Sequence, residues 1–124
     1  MYGIIYKITN LANNKVYIGQ TIHKLAYRWN SHTRAAKRGS KTYFHKAIRK
    51  YGKDSFILEQ IAEANSKEEL NQLEIICIQK YNSLIPNGYN TSTGGDGGDN
   101  FTNNPNIELI KRHMSEGRKR YFAN

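Results

Sequence analysis

The stretch Ile4-Ile5-Tyr6-Lys7-Ile8, followed after a polar break by Lys15-Val16-Tyr17-Ile18-Gly19, decides how this chain folds. Both runs alternate β-branched and aromatic residues, and Thr9-Asn10-Leu11-Ala12-Asn13-Asn14 lies between them. That layout is a hairpin signal. Side chains alternate faces along a strand, so Tyr6 shares a face with Ile4 and Ile8, while Val16 and Ile18 point away from Tyr17. An even-numbered connection is expected to set Tyr6 and Tyr17 directly opposite, with Cβ atoms about 5 Å apart. Taken alone, the pair reads as an aromatic contact that stabilises a sheet.

A chain of 124 residues makes one domain, or one domain with a tail. It buries about two-thirds of its unfolded surface, enough for one modest core. Hydrophobic content of 38% and charged content of 23% mark it as globular. No apolar run approaches the roughly 20 residues of a membrane helix. The N-terminus has no signal-peptide layout, and Cys77 is the single cysteine. A disulfide framework and a thiolate zinc cluster are therefore excluded, and an intracellular, reducing compartment is expected.

Nineteen basic residues against ten acidic give +9. Such an excess points to a polyanionic partner, most often nucleic acid. The charge is segregated. Residues 23–53 hold Lys24, Arg28, Arg34, Lys37, Arg38, Lys41, Lys46, Arg49, Lys50 and Lys53 with no acid among them, and most acids fall between Asp54 and Glu74.

Beyond Gly19, Leu25, Trp29, Thr33 and Ala36 recur at helical spacing, with Thr21 as the expected N-cap. Arg28 and His32 are one turn apart on the edge of that stripe. A guanidinium and an imidazole sharing a face can clamp a phosphate, one as a permanent charge and one as a proton carrier. Gly39-Ser40 closes the helix. A shorter helix is expected over about 43–51, with Phe44, Ala47, Ile48 and Tyr51 inward. Lys46, Arg49, Lys50 and Lys53 lie outward as a phosphate-facing surface.

Residues 55–61 read as a third strand. Ser66 and Glu69 form a capping box for a helix over about 67–82. Leu70, Leu73, Cys77 and Tyr81 are its core stripe, widened by Ile76 and Ile78. Glu74 falls on or within that stripe, where a carboxylate is costly unless paired or metal-bound. Its oxygen is the hard ligand that Mg²⁺ prefers. A turn-rich return ends at Gly88-Tyr89-Asn90. The Gly94, Gly95, Gly97 and Gly98 cluster lacks a trailing Lys-Ser/Thr and reads as a linker rather than a P-loop. Residues 104–121 read as a last, basic helix.

Ile5-Tyr6 and Tyr17-Ile18-Gly19 near the chain start resemble the signature of the GIY-YIG nuclease family. The first glycine of that signature falls at Ile4, with Gly3 one residue early. Arg28 with His32, then Glu74, then Gly88-Tyr89-Asn90 follow in matching order. The likeness spans about residues 3–92 and is strongest to the catalytic domain of phage-type homing endonucleases.

The resemblance implies an α/β (α+β) fold, a three-stranded antiparallel sheet flanked by helices, here with a basic helical tail. It places a nuclease domain at 1–92, a Gly/Asn-rich linker at 93–103, and at 104–124 the start of a DNA-binding module at most. It implies a metal-dependent endonuclease that hydrolyses double-stranded DNA to 3′-hydroxyl and 5′-phosphate ends. Glu74 would hold one Mg²⁺ or Mn²⁺ per site. Tyr6 or Tyr17 would orient or deprotonate the attacking water, Arg28 would stabilise the phosphorane, and His32, where relatives carry a tyrosine, would relay a proton to or from Tyr6. Lys15, Gly19 and Asn90, together with Lys46 and Arg49, are assigned to the substrate. No small-molecule cofactor and no membrane partner are expected, and the oligomeric state stays open between monomer and transient dimer. A structure-specific repair nuclease and a catalytically silent DNA-binding module of the same fold are the competing readings.

Overall fold

The computed structural model describes residues 1–92, residue 94 and the strand 119–122. Strand β1 (Gly3–Asn10) runs at the heart of the sheet, with β2 (Val16–Thr21) antiparallel on one side and β3 (Phe56–Ala64) antiparallel on the other. Helix α1 (Leu25–Lys37) and helix α2 (Tyr43–Tyr51) separate β2 from β3, and α3 (Lys67–Lys80) follows β3. The three expected strands are therefore present. A fourth, β4 (Lys119–Phe122), pairs antiparallel with β3 and gives the order β2-β1-β3-β4. This corrects the helix expected over 104–121 at its C-terminal end. Aromatic residues suit strands, and the free edge of β3 offers unpaired backbone groups. Residues 104–118, and the linker expected over 93–103 apart from residue 94, lie outside the described residues.

The sheet is covered on both faces. Ile4, Tyr6, Ile8, Phe56 and Leu58 pack with Leu25, Trp29 and Ala36 of α1 and Phe44, Ala47 and Ile48 of α2. On the opposite face, Ile5, Ile18, Ile61, Ala62 and Ala64 pack with Leu70, Leu73, Ile76, Cys77 and Ile78 of α3. Two-sided burial explains why the strands read as nearly continuous apolar runs. In β3 the register shifts between Ile5 and Tyr6, which oppose Ala62 and Gln60. Ile61 is thus a bulge, and it lets Ile61 and Ala62 both enter the α3 face.

The hairpin register departs from expectation. Tyr6 stands opposite Gly19, and Ile8 opposite Tyr17. The turn is the cause. Asn10 N–H donates to the Lys15 carbonyl at 2.9 Å, and the Asn10 carbonyl accepts from Asn14 N–H at 2.7 Å. The Asn10 Oδ1 also accepts from Ala12 N–H at 3.0 Å, an Asx turn that tightens the loop. Pairing of β1 therefore continues to Asn10, the connection is the four residues 11–14 instead of six, and each pair shifts by two residues.

In α1 the N-terminal residue is Lys24, with no side-chain cap. Thr21 Oγ1 instead accepts from His23 N–H at 3.0 Å, ending β2. The buried stripe of α1 is Leu25, Trp29, His32 and Ala36. His32 takes the inward place expected for Thr33. Helix α2 is capped by Thr42, whose Oγ1 accepts from His45 N–H. In α3, Ser66 Oγ accepts from Glu69 N–H, and Glu69 Oε1 accepts from Asn65 N–H at 2.6 Å.

Candidate active site

Where β2, α1, α2 and α3 meet, a cleft of about 320 Å³ is lined by Tyr17, Arg28, His32, His45, Glu74 and Asn90, among others. Tyr17 is on β2, Arg28 and His32 on α1, Glu74 on α3, and Asn90 on the return. Residues distant in sequence therefore share one space. Glu74 reaches it from the far side of the sheet because β2 is the edge strand there. Gln20 of β2 donates through Nε2 to Glu74 Oε1 at 2.9 Å and to Asn71 Oδ1 at 2.8 Å. This pins the carboxylate at the rim.

Tyr6 does not line the cleft. It is fully buried, directly behind Tyr17, with ring centroids 6.2 Å apart. Because Tyr6 stands opposite Gly19, its ring lies over that glycine, and a Cβ at Gly19 would overlap the phenol. Gly19 thus makes room for Tyr6. Tyr6 Oη and His32 Nε2 are 2.8 Å apart. His32 Nδ1 lies 2.9 Å from His45 Nε2, and His45 Nδ1 lies 2.7 Å from Ser40 Oγ.

Burial sets the protonation of this row. It pushes the Tyr6 phenol well above the ordinary range; Tyr17 adds to the shift, Arg28 opposes it by charge and by a hydrogen bond, and Glu74 adds slightly. Tyr17 is raised by burial and by Glu74, against the opposing pull of Arg28 and of its hydrogen bond with Tyr6. His32 is pushed down to about 3 by burial, then by Arg28 and His45. His45 is lowered by burial, Arg28 and Arg49. At neutral pH the row is a neutral phenol and two neutral imidazoles beside a fixed guanidinium.

Asn90 serves the backbone. Its Oδ1 accepts from Ile18 N–H and its Nδ2 donates to the Ile18 carbonyl, each at 2.8 Å. One amide side chain thereby extends the sheet past its edge. Tyr89 Oη accepts from Asn10 Nδ2 at 2.9 Å and from Asn13 Nδ2 at 3.2 Å, tying the return to the hairpin turn. Gly94 closes the rim: a Cβ there would stand 3.2 Å from Glu74 Cγ. At least this glycine of the cluster belongs to the site.

Lys15, Lys46 and Arg49 lie outside the cleft lining. Lys15 Nζ donates to Tyr43 Oη at 2.8 Å. Arg49 donates to the Ala36 carbonyl at 2.7 Å, satisfying the C-terminus of α1. Lys46 is exposed on α2. Sequence reasoning missed Gln20, Ser40 and His45. A second histidine at the start of α2, just past the turn closing α1, was the available signal for His45.

A family model described as the GIY-YIG catalytic domain matches residues 2–90. The chain belongs to the GIY-YIG family. The resemblance read from the tyrosine hairpin is borne out, Ile4 in the glycine place notwithstanding. The GIY-YIG fold is seen directly in the catalytic domain of homing endonuclease I-TevI, which is 30% identical with a TM-score of 0.63, covering 73% of this chain and 98% of that one. An uncharacterised protein, 019R, of Invertebrate iridescent virus 6 is 37% identical over 84 residues, covering 66% of this chain and 30% of its own length. The candidate endonuclease segB of Enterobacteria phage T4 is 30% identical over 115 residues, covering 93% of this chain and 49% of its own length. The chain thus spans less than half the length of these curated relatives. Among the described residues, no helix is long and apolar enough to cross a membrane.

Proposed function

We propose that this domain is a DNA endonuclease of the homing-endonuclease kind, hydrolysing phosphodiester bonds in double-stranded DNA to 3′-hydroxyl and 5′-phosphate ends. The observation that carries the reading is the meeting of Tyr17, Arg28, His32 and Glu74 in one cleft, from β2, α1 and α3. A structural explanation has no need for a carboxylate, a guanidinium and two protonatable rings in one polar space.

The donor set suits one divalent ion, Mg²⁺ or Mn²⁺. Glu74 is a single hard carboxylate, oriented by Gln20 at the rim of a cleft with room for water and a phosphate. Mg²⁺ is commonly held in this way, through one or two carboxylates and the substrate. Among the described residues no cluster of three or more His, Cys, Asp or Glu side chains could form a metal cage. When bound, such an ion would polarise the scissile phosphate and offset its charge.

The side chains then divide the work. Arg28 meets the charge that builds on the phosphorane oxygens. Tyr17, the phenol at the cleft, orients the attacking water and takes its proton as it gives its own to Tyr6. The water oxygen bonds to phosphorus, the P–O3′ bond breaks, and the 3′-oxygen takes a proton. Lys46, exposed on α2, and Lys15 and Arg49, outside the cleft lining, are assigned to sequence-independent phosphate contacts. A plasmid nicking assay with Mg²⁺ tests the reading. Wild type is expected to nick, and Arg28→Ala and Glu74→Ala to fall by about 10²-fold or more. Equal rates in all three would refute the assigned site. Salt-sensitive binding without cutting by wild type would leave a DNA-binding module.

A further inference from the structure

We propose that His45 and Ser40 complete a proton relay that connects the buried Tyr6–His32 pair to solvent. The inference rests on the nuclease reading above. Its basis is an unbroken row of short contacts: Tyr6 Oη to His32 Nε2 at 2.8 Å, His32 Nδ1 to His45 Nε2 at 2.9 Å, and His45 Nδ1 to Ser40 Oγ at 2.7 Å. The row crosses from β1 through α1 to α2 and ends in the turn between the helices. Tyr6 is fully buried and His32 is 3% exposed, whereas His45 and Ser40 are half-buried. The contacts therefore lead from the interior to the surface.

Chemistry demands such an exit. A proton taken from the attacking water enters the phenols beside the cleft. Among the described residues His32 is the imidazole in contact with Tyr6, and its surroundings disfavour a second proton on it. Burial opposes a charge there, and Arg28 repels it from the same helix. His45 faces Arg28 across the cleft and Arg49 on its own helix, so it too resists becoming an imidazolium. The groups facing the row are thus Arg28 and Arg49, with Tyr17 beside Tyr6 and Glu74 acting on both phenols. A proton must pass through these rings without stopping.

Two neutral imidazoles in series permit this, because each has one nitrogen that donates and one that accepts. With Nδ1 protonated on both rings, Tyr6 O–H donates to His32 Nε2, His32 Nδ1–H donates to His45 Nε2, and His45 Nδ1–H donates to Ser40 Oγ. During attack, the Tyr6 O–H bond breaks as His32 Nε2–H forms. His32 Nδ1–H breaks as His45 Nε2–H forms, and His45 Nδ1–H breaks as Ser40 Oγ–H forms. Ser40 releases its original proton to bulk water; the O–H bond of the attacking water breaks as a new Tyr17 O–H forms, and the original Tyr17 O–H breaks as the Tyr6 O–H is restored. No ring carries two protons after the passage. Running inward, the same row returns one proton to the 3′-oxygen and resets both tautomers. His45 acts through His32 and is a positioning residue.

The test compares wild type, His45→Ala and His45→Gln in Mg²⁺-dependent plasmid nicking, with the melting temperature as a folding control. The relay predicts a kcat loss of about 10²-fold in both variants with KM unchanged. Imidazole added to the assay restores His45→Ala, because the vacated ring position borders the open cleft, and does not restore His45→Gln. In wild type, ¹⁵N NMR is expected to show a scalar coupling between His32 Nδ1 and His45 Nε2. Full-rate cutting by His45→Ala, a loss that imidazole does not relieve, or the absence of that coupling overturns the relay while the nuclease reading stands. A wild-type protein that fails to nick overturns both.

Discussion

Gly19 lies under the Tyr6 ring, and this contact links the strand signature to the chemistry. Adding one methyl group at Gly19 would force the phenol off its place, because a Cβ would overlap the ring. The ring is fully buried and cannot swing into solvent. Gly19→Ala is therefore expected to cost about 1–3 kcal/mol of stability, as overpacking does. It should lower nicking by more than the stability loss explains, since Tyr6 Oη would leave His32 Nε2. Urea unfolding and nicking at a temperature where the variant is fully folded check this. A variant with wild-type stability and activity would show that the contact is not required. The identity of Gly19 was legible as part of a family signature. Its reason was not, because the clash depends on Tyr6 standing opposite Gly19 rather than Tyr17.

The elements were legible to different degrees, and the physics of each explains why. Helix α2 came out with its bounds because Thr42 and Gly52 are local signals on either side of the stripe Phe44, Ala47 and Ile48, although Tyr51, expected inward, is exposed. The hairpin was evident, but its register was not. A slip of two residues keeps every side chain on its own face, so alternation cannot distinguish the two pairings. The Asn10 turn decides it, through hydrogen bonds that composition does not reveal. The fourth strand was read as helix because its backbone partners belong to the distant β3. Convergence of the site was legible only through family likeness, since nothing local says that Glu74 passes the edge of β2. That edge is guarded by Asn90, and here a second prediction follows. Asn90→Ala removes both partners of the fully buried Ile18 peptide groups. Each buried orphan costs about 1–3 kcal/mol. The variant should unfold at lower urea and, because Tyr17 adjoins Ile18, cut more slowly even when folded. An unchanged urea midpoint would mean that the return segment does not support β2.

At the scale of the whole molecule, the neutral row between α1, α2 and the sheet makes stability depend on pH from both sides. His32 has an ordinary value of 6.5 that falls to about 3 in the fold. Between those values the unfolded chain binds a proton there that the native chain refuses. Stability supplied by this group is complete above about 6.5 and is lost as pH falls toward 3. His45 is shifted in the same direction and reinforces the loss. The phenols act oppositely. Tyr6 and Tyr17 are raised above the ordinary 10.0, so in alkali the native chain keeps protons that the unfolded chain releases, and stability falls as pH climbs past 10. The acid limb separates this row from ordinary carboxylates. One group whose protonation differs fully between the two states contributes a slope of about 1.4 kcal/mol per pH unit. His32→Gln keeps a polar side chain but cannot titrate. Its unfolding free energy, measured in urea between pH 6.5 and pH 4, is expected to fall less steeply than that of wild type by up to that slope. Carboxylates such as Glu59, paired with Lys7 at 3.2 Å, remain in both proteins and cancel in the comparison. Parallel curves would mean that His32 accepts its proton inside the fold, and a buried imidazole able to do so would have no need of a partner to pass it on.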